Sequence, residues 1–204
     1  MTRHNIFRAG VVCSVVLLAA GCNKKDNSKA NFQTAINNYY QAHLSCLWSA
    51  TKKFPVQAAT ADDSKTQGYD ALTDAGLLTR TTAEKKVFII ASKQVNNYDI
   101  SAQGRSTWTQ DPTQPGYGNF CYGHREVTSI DNFTAETNAS GTKTAQVNYH
   151  FQLADVAGWA KSQEMQTAFP QLSGAVAGSQ PAQTTLVMNG NNWQVSPTDS
   201  AVSQ

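Results

Sequence analysis

The feature of this sequence that most constrains its fold is a change in the spacing of the apolar residues near residue 85. Before that point, residues 31–54 repeat large side chains at intervals of three and four, namely Phe32, Ile36, Tyr39, Tyr40, His43 and Leu47. This spacing predicts an amphipathic helix that ends at Pro55. Beyond residue 85 apolar and polar residues alternate, which predicts strands with one buried face. The sequence therefore predicts an α+β fold, with an N-terminal amphipathic helix packed on a curved antiparallel sheet.

Turn-forming residues divide the second part of the chain into segments. The predicted strands are 85–93, 96–110 with a turn at Gln103-Gly104, 119–134, 143–154, and 184–196 with a turn at Asn189-Gly190. Loops are expected over 56–67 and 111–118, and short helices are expected before Gly76 and after Asp155. With "GNNWQV" as the closing strand, the arrangement resembles the cystatin-like and NTF2-like architectures. That likeness concerns the fold and carries no functional motif.

The N-terminus has the features of an export signal. Arg3 and Arg8 precede an apolar run over residues 9–20. A run of that length is shorter than the roughly 20 residues that a membrane-spanning helix needs, and it is typical of a signal peptide. The run ends in Leu18-Ala19-Ala20-Gly21-Cys22, which resembles the lipobox of bacterial lipoproteins. The resemblance implies cleavage before Cys22 and attachment of diacylglycerol and an amide-linked acyl chain, such as palmitate, to that cysteine.

This resemblance sets the predicted organisation and location of the protein. We expect a signal peptide over 1–21, a lipidated polar tether over 22–30, a single globular domain over 31–196 and a polar tail over 197–204. In Gram-negative lipoproteins an aspartate after the cysteine favours the inner membrane, and here the residue is Asn23. The expected location is therefore the periplasmic face of the outer membrane. The alternatives are the inner membrane and the cell surface.

The charge balance argues against nucleic-acid binding. The whole chain has 16 basic and 14 acidic residues, and removal of Arg3 and Arg8 with the signal makes the two numbers equal. A nucleic-acid-binding domain would show a basic stripe or patch, which is not apparent in this sequence. The partners that we expect are the membrane, through Cys22, and an envelope protein, peptidoglycan or a small ligand.

The expected roles of the four cysteines follow from the lipobox resemblance. Of the four cysteines, Cys13 leaves with the signal and Cys22 carries lipid. Cys46 and Cys121 remain in an oxidising compartment, where a disulfide between them is the expected outcome. The bond would close a loop of about 75 residues, and the chain-entropy model gives such a loop about 4 kcal/mol of stabilisation. The alternative is a free catalytic or metal-binding thiol.

His124, Glu126 and His150 form the candidate metal site of this sequence. Side chains alternate between the faces of a strand, so His124 and Glu126 share the face opposite Cys121 and Val127. If the strands over 119–134 and 143–154 pair, His150 comes close to both residues. A His-x-Glu pair with a neighbouring histidine is a plausible zinc site. The alternative is an ordinary polar sheet face, and no cofactor is expected.

Two further expectations concern the same strand. Val127 and Ile130 differ in parity, which predicts a bulge near Thr128-Ser129. Gly123 is expected to mark a kink or a close approach of the backbone. On the predicted N-terminal helix, His43 shares the apolar face and is expected to be a core histidine with a satisfied hydrogen bond rather than a ligand.

The sequence has no nucleophile elbow, Walker loop, HExxH motif or dinucleotide fingerprint. The leading hypothesis is therefore a non-enzymatic envelope lipoprotein that acts as a periplasm-facing binding or scaffolding module. The second hypothesis is an inhibitor or protective lipoprotein, such as an immunity or exclusion factor, that uses the loop "QDPTQPGYGN" (residues 110–119) as a plug. The third is a metal-dependent enzyme that uses His124, Glu126 and His150.

Overall fold

The computed structural model of the protein describes residues 26–88 and 91–200. Its strands form two antiparallel sheets. The larger sheet runs β1 (Ser45–Cys46), β7 (Tyr117–Thr137), β8 (Lys143–Ala154), β9 (Gln180–Asn189) and β10 (Asn192–Val195), and β2 (Lys52–Lys53) and β6 (Trp108–Gln110) also pair with β7. The smaller sheet contains β3 (Val56–Ala59), β5 (Ala91–Ile100) and β4 (Leu78–Phe88), in that order. The predicted α+β class is confirmed.

Strand β7 organises the larger sheet because it pairs with β1, β2, β6 and β8. Its register with β8 shifts between Val127 and Ser129 and again between Ile130 and Asn132. The first shift confirms the bulge predicted at Thr128-Ser129. Each bulge bends the strand and increases its twist, and the sheet is strongly curled.

Helix α1 (Lys29–Ala42) packs against one face of this sheet. Ser28 caps it by accepting a hydrogen bond from the Asn31 amide. The ring of Phe32 packs edge-on against Phe133 at 4.8 Å and against Trp193 at 5.0 Å. We call this cluster the first core, and its largest fully buried members are Phe32, Ile36, Val147, Tyr149 and Leu186. The predicted N-terminal helix on a curved antiparallel sheet is confirmed.

Helix α1 is shorter than the sequence predicts. It ends at Ala42 rather than at the residue before Pro55. The chain then turns into β1 and β2, and the Leu47 amide donates to the carbonyl of Phe120 on β7. Pairing with β7 therefore replaces the helical hydrogen bonds, and Leu47 is buried on the far side of the sheet instead of continuing the helix face.

The disulfide between Cys46 and Cys121 is confirmed. The two residues lie directly opposite each other in the β1–β7 ladder, and their sulfur atoms are bonded at 2.02 Å. Cys121 shares by alternation the face of β7 that carries Val127, as the sequence predicts. The bond therefore joins β7 to the chain immediately after α1.

A second core lies on the opposite face of β7. Phe120 is fully buried and Tyr122 is 8% exposed, although the sequence places both on the face expected to be polar. They pack with Leu47, Leu72, Leu77, Tyr98, Met165 and Leu172. The covering elements are α2 (Asp63–Asp74), α4 (Gln163–Ala168), α5 (Gln171–Ala175) and a 3₁₀ turn at Gly158–Lys161. Strand β7 therefore contributes apolar side chains to a core on each of its faces, Phe120 and Tyr122 to the second core and Val127 to the first.

Several short elements around the second core differ from the predictions. Strand β3 and the first half of α2 occupy the predicted loop over 56–67, although α2 ends before Gly76 as predicted. Helix α3 (Ala102–Thr107), capped by the Ser101 hydroxyl, replaces the predicted turn at Gln103-Gly104. The helix predicted from Asp155 begins at Gln163, and Ser162 caps it. In each case local hydrogen bonds or strand pairing specify an element that periodicity alone does not indicate.

The ends of the predicted domain are also visible in part. Pro197–Ser200 forms a short helix, α6, whose Asp199 carboxylate accepts hydrogen bonds from the Thr185 amide and the Thr184 hydroxyl. The beginning of the predicted polar tail therefore packs against β9. The signal peptide, Cys22 and residues 201–204 lie outside the described residues. No helix in the described ranges is long and apolar enough to cross a membrane.

Candidate ligand-binding cleft

The structure does not gather the three candidate metal ligands. His124 lies opposite Ala154 on β8, Glu126 lies opposite Gln152, and His150 lies opposite Ser129. Ala154, the partner of His124, and His150 itself are thus four residues apart on β8, about 13 Å along a strand. No group of three or more His, Cys, Asp or Glu side chains is arranged to hold a metal ion within residues 26–88 and 91–200. The bulge in β7 contributes to this separation, because it shifts His150 toward Ser129.

Each of these histidines has its own acidic neighbour instead. The Nδ1 atom of His150 lies 2.9 Å from a carboxylate oxygen of Asp131, and that of His124 lies 3.7 Å from Asp155. His150 and Asp131 are exposed, and the Asp155 carboxylate is almost fully exposed. An exposed contact between a histidine and a carboxylate contributes little to stability. The contact of His150 with Asp131 is that of an ordinary sheet surface, whereas the His124 side chain is only 17% exposed.

Gly123 behaves as the sequence predicts. A Cβ atom added at this position would lie 2.7 Å from the carbonyl oxygen of Ala154, which is closer than any normal contact. The strands therefore approach closely where β7 passes between the two cores. The amide of Ala157 also donates to the carbonyl of Tyr122 there, which holds the segment after β8 against β7.

A cleft of about 600 Å³ opens beside the disulfide. Its walls are the C-terminal end of α1, the segment from Leu44 to Thr51, and the β6–β7 loop at Asp111 and Pro112. The disulfide, Tyr122 and Arg125 contribute the β7 side. Ligand sites in proteins are commonly concave and mostly apolar, with a few placed polar groups, and this cleft has those properties.

The α1 wall presents a stacked pair of rings. His43 stacks on Tyr39 with ring centroids 3.9 Å apart, and its Nδ1 atom lies 2.7 Å from the Tyr39 carbonyl oxygen. His43 is exposed, so the prediction of a core histidine is wrong, although the expected hydrogen bond is present. It is the end of α1 at Ala42 that places His43 at the mouth of the cleft.

Asn119 fixes the position of Trp48 at the cleft. Its side-chain amide accepts from the Trp48 backbone N–H and donates to the Trp48 carbonyl, at 3.2 Å and 2.6 Å. The Gln171 side chain donates to the Leu47 carbonyl at 3.0 Å. These partly buried bonds replace ladder bonds that the irregular chain after β1 lacks, and they hold the cleft wall in place.

Asp111 fixes the loop on the opposite wall. Its carboxylate accepts hydrogen bonds from the Thr113 amide, the Thr113 hydroxyl and the Thr51 hydroxyl, at 2.8, 2.6 and 3.0 Å. The bonds from Thr113, followed by the one from Thr51, hold the pKa of Asp111 below its usual value. The loop is thereby tied to the chain that precedes β2.

Arg125 supplies the permanent positive charge of the cleft. Its Cζ atom lies 5.1 Å from the centre of the Tyr40 ring and 4.8 Å from that of Phe151, and its Nη1 atom donates to the Tyr40 hydroxyl at 3.1 Å. The Tyr40 hydroxyl in turn lies 3.2 Å from that of Tyr149. Burial, followed by this contact, raises the pKa of Tyr149. The guanidinium is therefore anchored in the first core and reaches the cleft from it.

Sequence reasoning missed Arg125 although it lies between His124 and Glu126. The sequence contained the necessary information, because alternation along β7 places Arg125 on the same face as Cys121.

No family model, curated protein or solved structure matches the chain. The likeness to cystatin-like and NTF2-like folds stays a prediction.

Proposed function

We propose that this protein is a lipid-anchored, non-enzymatic lipoprotein of the bacterial envelope whose domain binds a ligand or partner in the cleft beside the disulfide. The proposed anchor is Cys22, and Asn23 favours the periplasmic face of the outer membrane. Helix α1 begins at Lys29, seven residues after Cys22 in the sequence. A chain of that length spans at most about 25 Å, so the domain would work close to the membrane surface.

The observation that carries the binding role is the cleft itself. Its walls come from the end of α1, the segment from Leu44 to Thr51, the β6–β7 loop and β7, and specific interactions fix them, among them the disulfide and the hydrogen bonds of Asn119 and Asp111. A preformed concavity loses less entropy on binding than a mobile one, which favours affinity. His124 and His150 do not line it. We therefore propose binding rather than metal-dependent catalysis.

The anchor is tested by labelling in cells. Wild-type protein should incorporate labelled palmitate and fractionate with the outer membrane, and Cys22→Ser should do neither. Release of the wild-type protein in soluble form would contradict the anchor. Wild-type protein in the inner-membrane fraction would contradict the location alone.

The cleft is tested by site-specific photo-crosslinking in cells. A photoreactive residue at His43, at the mouth of the cleft, should give a discrete adduct. The same residue at Gln152, which is exposed and lies outside the cleft, is the matched control. Equal labelling at the two positions, or no adduct at position 43, would argue against the cleft as the binding site.

A protective or inhibitory role is the second proposal, and the β6–β7 loop supports it. Residues 112–116 are exposed, and Asp111 holds the loop in a defined shape. Gln110 and residues 117–119 belong to β6 and β7, so the test should remove only residues 112–116. Loss of protection against an incoming enzyme, phage or toxin would support the role. Shortening the exposed turn over 139–141 is the control, and equal effects of the two changes on protection would reject the role of the β6–β7 loop.

A further inference from the structure

We propose that Arg125 anchors the ligand of the cleft by binding a carboxylate, and that the ligand is a monocarboxylate with an apolar or aromatic group next to the acid. This inference rests on the proposed binding function and names the chemistry of its ligand. It is carried by the position of the guanidinium, by the donors that it leaves open and by the character of the surrounding wall.

The guanidinium is held in a fixed place before any ligand arrives. The rings of Tyr40 and Phe151 both lie about 5 Å from its Cζ atom, and the Tyr40 hydroxyl accepts one of its N–H groups. Aromatic contacts of this kind attract a cation and restrict its plane. A fixed planar fork is the arrangement that matches the two oxygens of a carboxylate.

The charge of Arg125 is not neutralised by the parts of the chain that the structure describes. No described carboxylate lies within 4.0 Å of the guanidinium, and its one hydrogen bond there, to Tyr40, engages one of five N–H donors. Arg125 is only partly exposed. A half-buried cation of this kind gains most from an anion that enters the cleft.

The other charged groups of the cleft favour a single negative charge on the ligand. Arg125 is the only Lys or Arg among the described residues that line it, and Asp111 is the only acid. Three donors from Thr51 and Thr113 already occupy the Asp111 carboxylate. A dianion such as a phosphate monoester would meet one guanidinium and repulsion from Asp111. A carboxylate needs one guanidinium.

The remaining wall favours an apolar group beside the acid. Leu44 is 45% exposed and lines the cleft, and Trp48 and Tyr39 are also among the residues that line it. A free acylated amino acid and the C-terminus of a peptide share this combination of carboxylate and side chain. The volume of about 600 Å³ accommodates either one.

The test compares acids with their amides on the full-length protein purified in detergent. The probes are N-acetyl-phenylalanine and its amide, and a tripeptide ending in phenylalanine as the free acid and as the C-terminal amide. Affinity is measured by calorimetry and by the fluorescence of the tryptophans. We expect each acid to bind at least tenfold more tightly than its amide. Tighter binding of the tripeptide acid would identify a peptide terminus as the source, and tighter binding of the amino acid would identify a free small molecule.

Substitution then assigns the preference to Arg125. Arg125→Met should bring the acids to the affinity of the amides, and Arg125→Lys should keep part of the preference because it keeps the charge without the fork. Arg105→Met, at an exposed position on α3, is the matched control and should change nothing. Because Arg125 also contacts the first core, near-ultraviolet circular dichroism checks the fold of each variant. The comparison of acid with amide on the wild type does not depend on any variant folding.

Two results would overturn the inference. Equal affinity of acid and amide for the wild type would reject the carboxylate but leave the proposed binding function standing. Absence of binding by every probe at millimolar concentration would also reject the ligand class, and the crosslinking at position 43 would then report independently on the cleft. An acid preference that survives Arg125→Met in a folded variant would reject Arg125 as its cause.

Discussion

The first core, under α1, and the second core, on the other face of β7, are built from different kinds of sequence. The first core joins one amphipathic helix to long alternating strands. The second core collects segments from between Leu47 and Leu172, and several of them, such as β3, α4 and α5, are fewer than seven residues long. Strand β7 contributes Val127 to one and Phe120 to the other. A single long strand can therefore organise one core by periodicity and another by tertiary pairing.

The largest effect on stability is expected from removing one large side chain from each core. Phe120→Ala and Phe32→Ala should each lower the free energy of unfolding by about 4 kcal/mol, because each ring is fully buried. If β7 couples the cores, each variant should unfold in one transition, at a lower denaturant concentration than the wild type. Tryptophan fluorescence and far-ultraviolet circular dichroism should report that transition together. Two separated transitions in Phe120→Ala would show that the first core folds on its own.

Removing the disulfide tests the connection between the two cores, because the bond lies where the chain passes from α1 toward the second core. The double variant Cys46→Ser, Cys121→Ser should lose about 4 kcal/mol of stability through the greater entropy of its unfolded chain. Chemical denaturation under oxidising conditions measures the loss, and the reduced wild type is the matched control. A double variant as stable as the oxidised wild type would contradict a stabilising role for the bond.

An alkaline titration compares one buried tyrosine from each core. Burial is the first cause that raises the pKa of Tyr149 in the first core and of Tyr98 in the second. The folded state therefore keeps these protons at a pH where the unfolded chain has released them. The stabilisation is fully present below about pH 10 and falls above it, by about 1.4 kcal/mol per pH unit for each tyrosine until its folded pKa is reached.

Single substitutions separate the contributions of the two tyrosines to the loss of stability above pH 10. Tyr149→Phe and Tyr98→Phe should each flatten the fall in stability above pH 10, as measured by denaturant unfolding at pH 9, 10 and 11. Tyr117→Phe, on the less buried start of β7, serves as the control. An unchanged slope in both core variants would mean that other groups cause the alkaline loss.

The smallest effect is expected on the outer face of the sheet, which belongs to neither core. His150→Ala should change stability by less than about 0.5 kcal/mol, since the His150 side chain is 40% exposed and its acidic partner, Asp131, is 37% exposed. It should also leave zinc binding at the wild-type level, because His124 and His150 lie beside different aspartates. Calorimetric titration with zinc measures this, and a clear loss of affinity in the variant would restore the metal hypothesis.

The sequence predicts the first core well because its elements are long and periodic. Helix α1 and strand β8 each repeat their apolar residues often enough to identify the element and its buried face. The predicted helix extended too far because Leu47 continues the helical spacing, and only the partner strand shows that the Leu47 amide binds the Phe120 carbonyl. The disulfide was predictable because the lipobox resemblance left two cysteines.

The second core and the cleft were not predictable for a related reason. Strands β1, β2 and β6 contain two or three residues each, which is too few for any period, and pairing with β7 defines them. The cleft lies among these elements, so its walls have no sequence signature of their own. Alternation along β7 predicts the face on which Arg125 lies. The contacts that hold its guanidinium come from Tyr40 and Phe151, which lie 85 and 26 positions away.

Helix α1 also fixes a distance. Its first residue, Lys29, follows the proposed anchor closely, and its last turn carries Tyr39 and leads to His43 at the mouth of the cleft. Fourteen helical residues span about 21 Å. With the anchor that we propose, changing the tether would alter how far the whole domain reaches from the bilayer. The separation between the first residue of α1 and the residues at the mouth of the cleft would stay the same, because it is a rigid property of the fold.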